Sequence, residues 1–287
     1  MATATDLPQT REGCDRGGQA SHPQHQHADT SADRRAGVTL STTSVLPQGV
    51  GKTFELATKL GYNGVEIMPT VADPSSWRLS RLRELQDRYP TPVTSIHAPC
   101  LGPQTAGVWG RDPWGKLQHS VAVAEALGAG VVVVHPPFWW QRAYAATFVE
   151  TLAEMQDGTD VRIAVENLYP RGLFGYRPHW NPAGTRWTTL DVSHAAASRD
   201  DAVTMAEAMG DRLTHVHLSD SVTGRDLHMV PGRGDQRCDA LVKHLAKTAY
   251  TGDICIEVNT SSVTPAERRR RLYEARAFVT RHWPSLR

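Results

Sequence analysis

The sequence is poor in cysteine and has no long apolar run. Its 287 residues include four cysteines, which lie far apart and form no Cys-x-x-Cys pair; they are Cys14, Cys100, Cys238 and Cys255. This spacing excludes a disulfide framework and favours the reducing cytoplasm as the location of the protein. The longest apolar run in the body of the chain, Val131–Val134, is far shorter than the roughly 20 residues that cross a bilayer. We therefore expect no membrane-spanning helix.

The chain also lacks an excess of charge of either sign. It has 31 Lys and Arg against 30 Asp and Glu, a formal charge of +1. Such a balance argues against a broad nucleic-acid-binding surface, and the lack of a basic start followed by an apolar stretch predicts that there is no secretory signal. At 40% hydrophobic residues, the chain can bury a sizeable core. What it has in excess is histidine, with 13 residues.

The first 36 residues differ in composition from the rest of the chain. Residues 1–36 are polar, show no apolar periodicity, and contain Gly17-Gly18 and a run with three of the histidines, His22–His27. These features predict a disordered tail over 1–36. The remaining 37–287 form the predicted folded domain.

After the tail, short apolar runs alternate with segments of helical spacing. Runs of four to five mostly β-branched residues are typical of strands that are buried on both faces of a parallel sheet. The predicted strands are Val38–Leu40, Gly64–Met68, Val93–His97, Val131–His135, Ile163–Glu166, Thr188–Asp191, Leu213–His217 and Ile254–Val258. The predicted helices are Phe54–Leu60, Leu79–Arg88, Gly115–Leu127, Arg142–Met155, Asp200–Met209, Asp239–Lys247 and Pro265–His282. Eight such units match the size of a single (β/α)₈ TIM barrel.

A doubly wound sheet shares this alternation but normally has a glycine-rich phosphate turn after its first strand. The nearest candidate is Gly49–Thr53, which ends like a phosphate-binding loop. That motif needs a glycine five residues before the Gly-Lys pair, and the position holds Leu46. We therefore predict the barrel.

Polar side chains gather where the predicted strands end, which is where chemistry gathers in such barrels. A buried unpaired carboxylate costs several kcal/mol, and few Lys or Arg lie at these strand ends to compensate. A divalent metal ion is the simplest source of positive charge to balance these acids. The polar side chains are Glu66, His97, His135, Glu166, Asp191, His194, His217, Asp226, His228 and Glu257. His215 alternates with His217 along its strand, and we expect only one of the two to face the interior.

The ordered series of these motifs resembles the xylose isomerase-like TIM-barrel superfamily, over about Gly37–His282. The series consists of His97-Ala98-Pro99, His135-Pro136, Glu166-Asn167, Asp191-x-x-His194, His217-Leu218-x-Asp220 and Glu257. That superfamily unites isomerases and epimerases of sugars and sugar phosphates with zinc-dependent apurinic-site endonucleases. The resemblance is strongest to bacterial proteins labelled sugar phosphate isomerase/epimerase.

The resemblance implies a metal core of Glu166, Asp191, His217 and Glu257. In the epimerase members, one divalent ion, often manganese, lies in this core. Glu166 and Glu257 would then move a proton between opposite faces of an open-chain sugar or sugar phosphate. His194 would position the substrate oxygen.

The endonuclease branch implies an alternative, a zinc-dependent phosphodiesterase that acts on nucleic acid with three metal ions. Its additional ligands match His97, His135, His194, Asp226 and His228. Three departures rank it second. The first strand lacks a histidine, the segment after the second strand lacks the basic and aromatic DNA-penetrating loop, and several intervals between motifs are shorter than in the nucleases. A barrel that only binds a ligand is the third and least favoured interpretation.

Four residues are assigned to substrate binding. Trp109 and Arg177 lie in segments after the third and fifth strands, Arg233 lies in a glycine-flanked turn, and Glu66 lies in the second strand. Aromatic rings suit the C–H faces of a sugar, and arginine suits phosphate or carboxylate. The Phe138-Trp139-Trp140 cluster is a candidate apolar patch for self-association into a homo-oligomer.

Overall fold

The fold is a closed barrel of eight parallel strands. In the computed structural model, residues 36–99, 105–138, 140–169 and 184–286 are described. The strands succeed one another around the barrel in chain order, and the first pairs with the eighth. The predicted (β/α)₈ barrel is therefore confirmed over the doubly wound alternative. Apart from Ala36, the predicted tail lies outside the described residues, as does Arg177.

The strands and helices alternate around this ring. The strands are β1 Val38–Ser41, β2 Gly64–Ile67, β3 Val93–His97, β4 Val131–Val134, β5 Arg162–Glu166, β6 Trp187–Asp191, β7 Leu213–Leu218 and β8 Asp253–Ile256. The helices are α1 Val50–Leu60, α2 Leu79–Arg88, α3 Pro113–Leu127, α4 Arg142–Asp157, α5 Val192–Ser198, α6 Ala202–Met209, α7 Cys238–Lys247 and α8 Pro265–His282.

Local chemistry explains where several helices begin and end. Gly61 and Gly128 come directly after α1 and α3 in the left-handed conformation, with φ of 76° and 72°. Only glycine adopts that conformation without a steric penalty, and the predicted helix ends at Leu60 and Leu127 are confirmed. At the start of α3, the carboxylate of Asp112 accepts hydrogen bonds from the backbone N–H groups of Trp114 and Gly115.

Helix α5 was not among the predicted elements. It begins directly after β6, because the side chain of Asp191 caps its first turn by accepting a hydrogen bond from the N–H of His194 at 2.7 Å. The strand therefore passes into a helix without a loop. This places Asp191 and His194 on the same side of the barrel mouth.

Two further expectations from composition can be compared with the structure. None of the helices in the described residues is long and apolar enough to cross a membrane. Cys238 and Cys255 are buried free thiols, and Cys14 and Cys100 lie outside the described residues.

Candidate metal centre

Glu166, at the end of β5, contacts histidines from several neighbouring strands. Its Oε2 lies 2.8 Å from Nε2 of His135 and 3.3 Å from Nε2 of His97. Its Oε1 lies 2.9 Å from Nδ1 of His217. The side chain is 1% exposed. One buried carboxylate therefore joins histidines from the ends of β3, β4 and β7.

His217 is surrounded by acids from neighbouring strands. Besides Glu166, its Nδ1 lies 3.2 Å from Oε2 of Glu257 and 3.8 Å from Oδ2 of Asp191. The other oxygen of Glu257 accepts a hydrogen bond from the hydroxyl of Thr43 at 3.0 Å. The structure thus brings together the four residues that the sequence assigns to a metal core.

Asp191 is held by its backbone, and one of its side-chain oxygens has no hydrogen-bond partner. The amide of Asn167 accepts from the N–H of Asp191 at 2.6 Å and donates to its carbonyl oxygen at 2.9 Å. Oδ1 caps α5 through the N–H of His194, whereas the buried Oδ2 makes no hydrogen bond. Because buried polar atoms are normally paired, Oδ2 is well suited to bind a cation.

The pair Asp226 and His228 lies at the same mouth. Nε2 of His228 is 3.0 Å from Oδ1 of Asp226. The carboxylate of Asp226 also accepts hydrogen bonds from the hydroxyls of Tyr169, at 2.6 Å, and Ser193, at 2.8 Å. His228 has a φ of 47°, an uncommon conformation for a residue other than glycine. Its N–H donates to Ser193, so local hydrogen bonds hold this backbone in place.

Glu66 lies inside the barrel, against His217. Its oxygens lie 2.9 Å from Nε2 of His215 and 3.1 Å from Nε2 of His217, and Oε2 accepts from the hydroxyl of Ser95 at 2.9 Å. Both histidines therefore face the interior, and the expectation that only one would do so is wrong. Side chains two positions apart in a strand project to the same face.

The carboxylates of the centre differ in how readily they ionise. Burial opposes the ionisation of Glu166, but the charges of His217 and His135 outweigh it and hold the pKa of Glu166 well below its usual range. The pKa of Glu257 is likewise lowered by His217 against the effect of burial. Burial raises the pKa of Asp191, and the charges of Glu166 and Glu257 add to the rise. Asp191 is therefore the acid that most needs a nearby positive charge.

The histidines supply that positive charge when they are protonated. Burial alone would lower the pKa of His217, but the carboxylates of Glu66, Glu257 and Glu166 raise it well above the usual value. Burial alone would lower the pKa of His228, but the hydrogen bond to Asp226 and the charges of Asp191, Glu257 and Asp226 together raise it to about 10. Within the described residues, the ion pairs of these carboxylates all run to histidines. A bound cation would therefore take the place of the histidine protons as the partner of these carboxylates.

The candidate ligand atoms at the mouth form three overlapping groups, within each of which all atoms lie within 4.8 Å of one another. The groups are His97, His135 and Glu166; Glu166, Asp191, His217 and Glu257; and Asp191, His194 and His228. Imidazole and carboxylate groups suit zinc and manganese. Together with the unpaired Oδ2 of Asp191, these donors fit a divalent metal centre.

Three other residues that the sequence assigns to metal or substrate binding lie outside these groups. Asp226 contacts His228 but belongs to none of the three groups. Trp109 stacks on His119 of α3, with ring centroids 5.6 Å apart. Arg233 forms an ion pair with Glu274 of α8. Substrate binding by Trp109, Arg233 and Glu66 stays a prediction.

Sequence reasoning missed two hydroxyl side chains that contact the site. Thr43 lies just after β1 and donates to Glu257. Ser193 lies between Asp191 and His194 and donates to Asp226. Their positions directly after strand ends were the available signal, but serine and threonine are common at such positions for reasons of capping alone.

The fold and this cluster define a TIM barrel with a candidate metal centre at its mouth. Similarity to known proteins gives its family. The chain belongs to the xylose isomerase-like TIM barrel family, whose model matches residues 54–282. An uncharacterised protein of Mycobacterium leprae (strain TN) is 41% identical over 270 residues, which cover 84% of this chain and 96% of that protein.

More distant relatives carry functional names. Fructoselysine 3-epimerase of Shigella flexneri is 20% identical over 234 residues, covering 72% of this chain and 84% of that protein. A solved structure of an L-ribulose 3-epimerase is similar with a TM-score of 0.64 at 16% identity, covering 88% of this chain and 95% of that chain. At this identity, the structural likeness shows the fold.

Proposed function

We propose that this protein is a divalent-metal-dependent isomerase or epimerase of a sugar or sugar phosphate. The observation that carries the proposal is the convergence of Glu166, Asp191, His217 and Glu257, in which both glutamates approach the same nitrogen of His217. The family membership and the names of the distant relatives, which are sugar 3-epimerases, support it.

The two glutamates have the properties of a proton-transfer pair. A divalent ion held by the four side chains would polarise the carbonyl of an open-chain sugar and acidify the neighbouring C–H. Glu166 and Glu257 come from different strands and have lowered pKa values, so both are ionised near neutral pH. In the proposed reaction, one ionised glutamate removes a proton from the substrate carbon, and the other, after it has taken up a proton from solvent, delivers that proton to the opposite face.

His194 is suited to holding a substrate oxygen beside this pair. Its Nδ1 lies 2.9 Å from the carbonyl oxygen of Asn167, so in the neutral ring the proton sits on Nδ1 and the lone pair on Nε2 is available. Its side chain is 11% exposed, which leaves it at the boundary between the buried acids and the mouth.

A second candidate function is a zinc phosphodiesterase of the apurinic-site endonuclease type. The observation that favours it is the pair of additional groups, His97 with His135 and Glu166, and Asp191 with His194 and His228. With three ions bound, the centre would supply a metal-activated hydroxide for attack on a phosphodiester. The balanced charge of the chain weighs against this candidate.

Elemental analysis of the purified protein and solvent-deuterium exchange together test the first candidate. We expect about one ion per chain and incorporation of deuterium at a carbon next to the carbonyl of at least one sugar in a ketose and ketose-phosphate panel. Glu257→Gln should abolish the exchange. Absence of exchange across the panel by protein loaded with manganese or zinc would contradict the proposal.

The second candidate predicts a different result. Protein with about three zinc ions per chain would cleave a duplex that contains an abasic site, and chelation or Glu257→Gln would abolish the cleavage. If the fully zinc-loaded protein leaves the duplex intact, the endonuclease candidate fails.

The proposal extends to location and assembly. The wide spacing of the cysteines favours the cytoplasm, and residues 37–287 are proposed as one domain after a disordered tail.

Phe138 and Trp140 stack with ring centroids 4.6 Å apart, and Trp140 is 42% exposed, which supports self-association through this patch. Sedimentation of wild type and Trp140→Ser measures it, and we expect the variant to shift towards monomer.

A further inference from the structure

His217 presents its two ring nitrogens to different surroundings. Nδ1 faces Glu166 and Glu257 in the candidate metal centre, at 2.9 and 3.2 Å. Nε2 faces Glu66, at 3.1 Å from Oε1. His217 and Glu66 are both 0% exposed, so water does not compete for either contact. The ring is therefore held between the metal centre and a single acid inside the barrel.

Glu66 is itself held by two further groups. Its Oε2 accepts a hydrogen bond from the hydroxyl of Ser95 at 2.9 Å and lies 2.9 Å from Nε2 of His215. The rings of His215 and His217 meet edge to face, with centroids 5.1 Å apart and planes at 88°. Contacts to both oxygens of Glu66 restrict rotation of the carboxylate.

We propose that Glu66 is a positioning residue for the metal ligand His217. A neutral imidazole carries one N–H, and only the other nitrogen can bind a metal. The carboxylate of Glu66 accepts the proton of Nε2, which keeps the lone pair of Nδ1 directed at the centre. A carboxylate in this place fixes the orientation of the ring and increases its strength as a ligand. This role rests on the proposed metal centre. It gives Glu66 a contact with His217 in place of the contact with substrate that the sequence predicts.

The same acid and histidines, together with Cys255, form a fourth group of potential ligand atoms. A second buried ion there is the competing interpretation. Oε2 of Glu66 accepts hydrogen bonds from Nε2 of His215 at 2.9 Å and from Nε2 of His217 at 3.2 Å, which are ordinary hydrogen-bond distances, whereas the buried Oε1 makes none. The hydrogen bonds to Oε2 explain how Glu66 is held without an ion, and counting bound ions distinguishes the two interpretations.

The test is a calorimetric titration of metal-free protein with Zn²⁺ in the presence of a competing chelator. Glu66→Gln keeps the shape of the side chain and removes its charge, and we expect affinity for Zn²⁺ to fall about 10- to 100-fold. Glu55→Gln is the matched control, because Glu55 of α1 pairs with Lys52 and Lys59 outside the barrel. Its affinity should equal that of wild type.

A second measurement separates positioning from a merely structural role. In zinc-loaded protein with ¹⁵N-labelled histidine, wild-type His217 should show a protonated Nε2 and a metal-bound Nδ1. Glu66→Gln should shift the Nε2 signal. Thermal melting of the metal-free proteins checks that the variant is folded. If Glu66→Gln does not fold, His215→Asn removes one of the three hydrogen bonds to Oε2 of Glu66 and should weaken Zn²⁺ binding several-fold.

Each contrary result has a distinct meaning. Unchanged Zn²⁺ affinity in folded Glu66→Gln, or in His215→Asn where that variant is used, overturns the inference while the proposed function stands. Loss of one bound ion with unchanged affinity for the rest overturns it in favour of an ion between Glu66 and His215. Wild-type protein that binds no Zn²⁺ overturns the inference and the proposed metal-dependent function together.

Discussion

At the scale of single residues, several side chains of the centre use their two polar atoms for different purposes. Asp191 caps a helix with one oxygen and leaves the other buried and unpaired. His217 turns one nitrogen to the acids of the mouth and the other to Glu66. Glu166 contacts different histidines with its two oxygens. The structure therefore holds each ligand in place before any ion binds.

Asp191 allows this division to be tested. In Asp191→Asn the remaining amide oxygen still caps α5, but the ionised oxygen at the centre is lost. We expect metal affinity to fall at least about 10-fold. The metal-free protein should become more stable, because burial and the neighbouring acids raise the pKa of Asp191 and disfavour its charge. A gain of about 1 kcal/mol corresponds to a melting temperature roughly 2–4 °C higher. A variant that melts well below metal-free wild type would contradict this account.

The raised pKa values of the histidines predict that metal binding releases protons. A metal needs neutral imidazole, whereas His217 and His228 carry protons near pH 7 in the metal-free protein. Affinity should therefore rise with pH and, for the contribution of His228, level off only above its pKa of about 10. Calorimetry in two buffers of different ionisation enthalpy measures the protons released. Equal apparent enthalpies in both buffers would show that no protons are displaced.

At the scale of secondary structure, the site depends on the segment that comes after each strand. β6 passes directly into α5, so that Asp191 and His194 share one turn of helix. After β7 comes a loop that Asp220 organises, accepting from the N–H groups of Ser221, Gly232 and Gln236. The backbone of Asp220 also pairs with Met229 in both directions. This closed loop carries Asp226 and His228 to the mouth.

Gly234 is the tightest point of that loop. A Cβ at this position would overlap the carbonyl oxygen of Ser221, which belongs to the backbone and cannot move aside. Gly234→Ala should lower the free energy of unfolding by about 1–3 kcal/mol. It should also weaken metal binding by the group that contains His228. Thermal melting and elemental analysis measure the two effects.

Gly51→Ala is the matched control for this substitution. Gly51 lies in α1, where a Cβ would meet only side-chain atoms of Arg81 and Leu85, at 3.6 and 3.9 Å. Alanine is the better helix former, so stability should rise by about 0.5–1 kcal/mol. Equal melting temperatures for the two variants would refute the role given to Gly234.

At the scale of the whole molecule, closure of the barrel creates the centre. Its ligands come from strands β3 to β8 and the segments after them, and some lie more than a hundred positions apart in the chain. Glu66 of β2, which contacts the ligand His217, is separated from it by 151 positions. An ion in this centre would connect strands from several parts of the ring, so its binding should stabilise the entire barrel.

Metal loading should therefore raise the melting temperature of the chain. An ion at 100 times its Kd adds about 2.7 kcal/mol when it binds only the folded state, which corresponds to roughly 5–10 °C for a domain of this size. Melting of metal-free protein in increasing Mn²⁺ or Zn²⁺, with reversal by a chelator, measures the shift. A melting temperature that does not respond to ions which elemental analysis shows to be bound would contradict a site shared among strands.

Much of the architecture could be predicted because it depends on local sequence. The β-branched runs predicted all eight strands, and two helices, Leu79–Arg88 and Pro265–His282, have the predicted bounds. Helix α5 was missed because a single side chain, Asp191, starts it. The positions of Arg233 beside Glu274 and of Trp109 on His119 depend on helices that pack against the loops. Nothing in the local sequence indicates such partners.

The sequence by itself determined the alternation of strands and helices, the closed-barrel class and the chemical types of the ligands. These depend on periodicity and on side chains at strand ends, which are local properties. Only the tertiary structure decided which atoms meet. It directs both His215 and His217 inward onto Glu66 and leaves one oxygen of Asp191 unpaired among acids and histidines. The reason is physical, because these contacts depend on strand register and barrel closure, which no short segment of the chain contains.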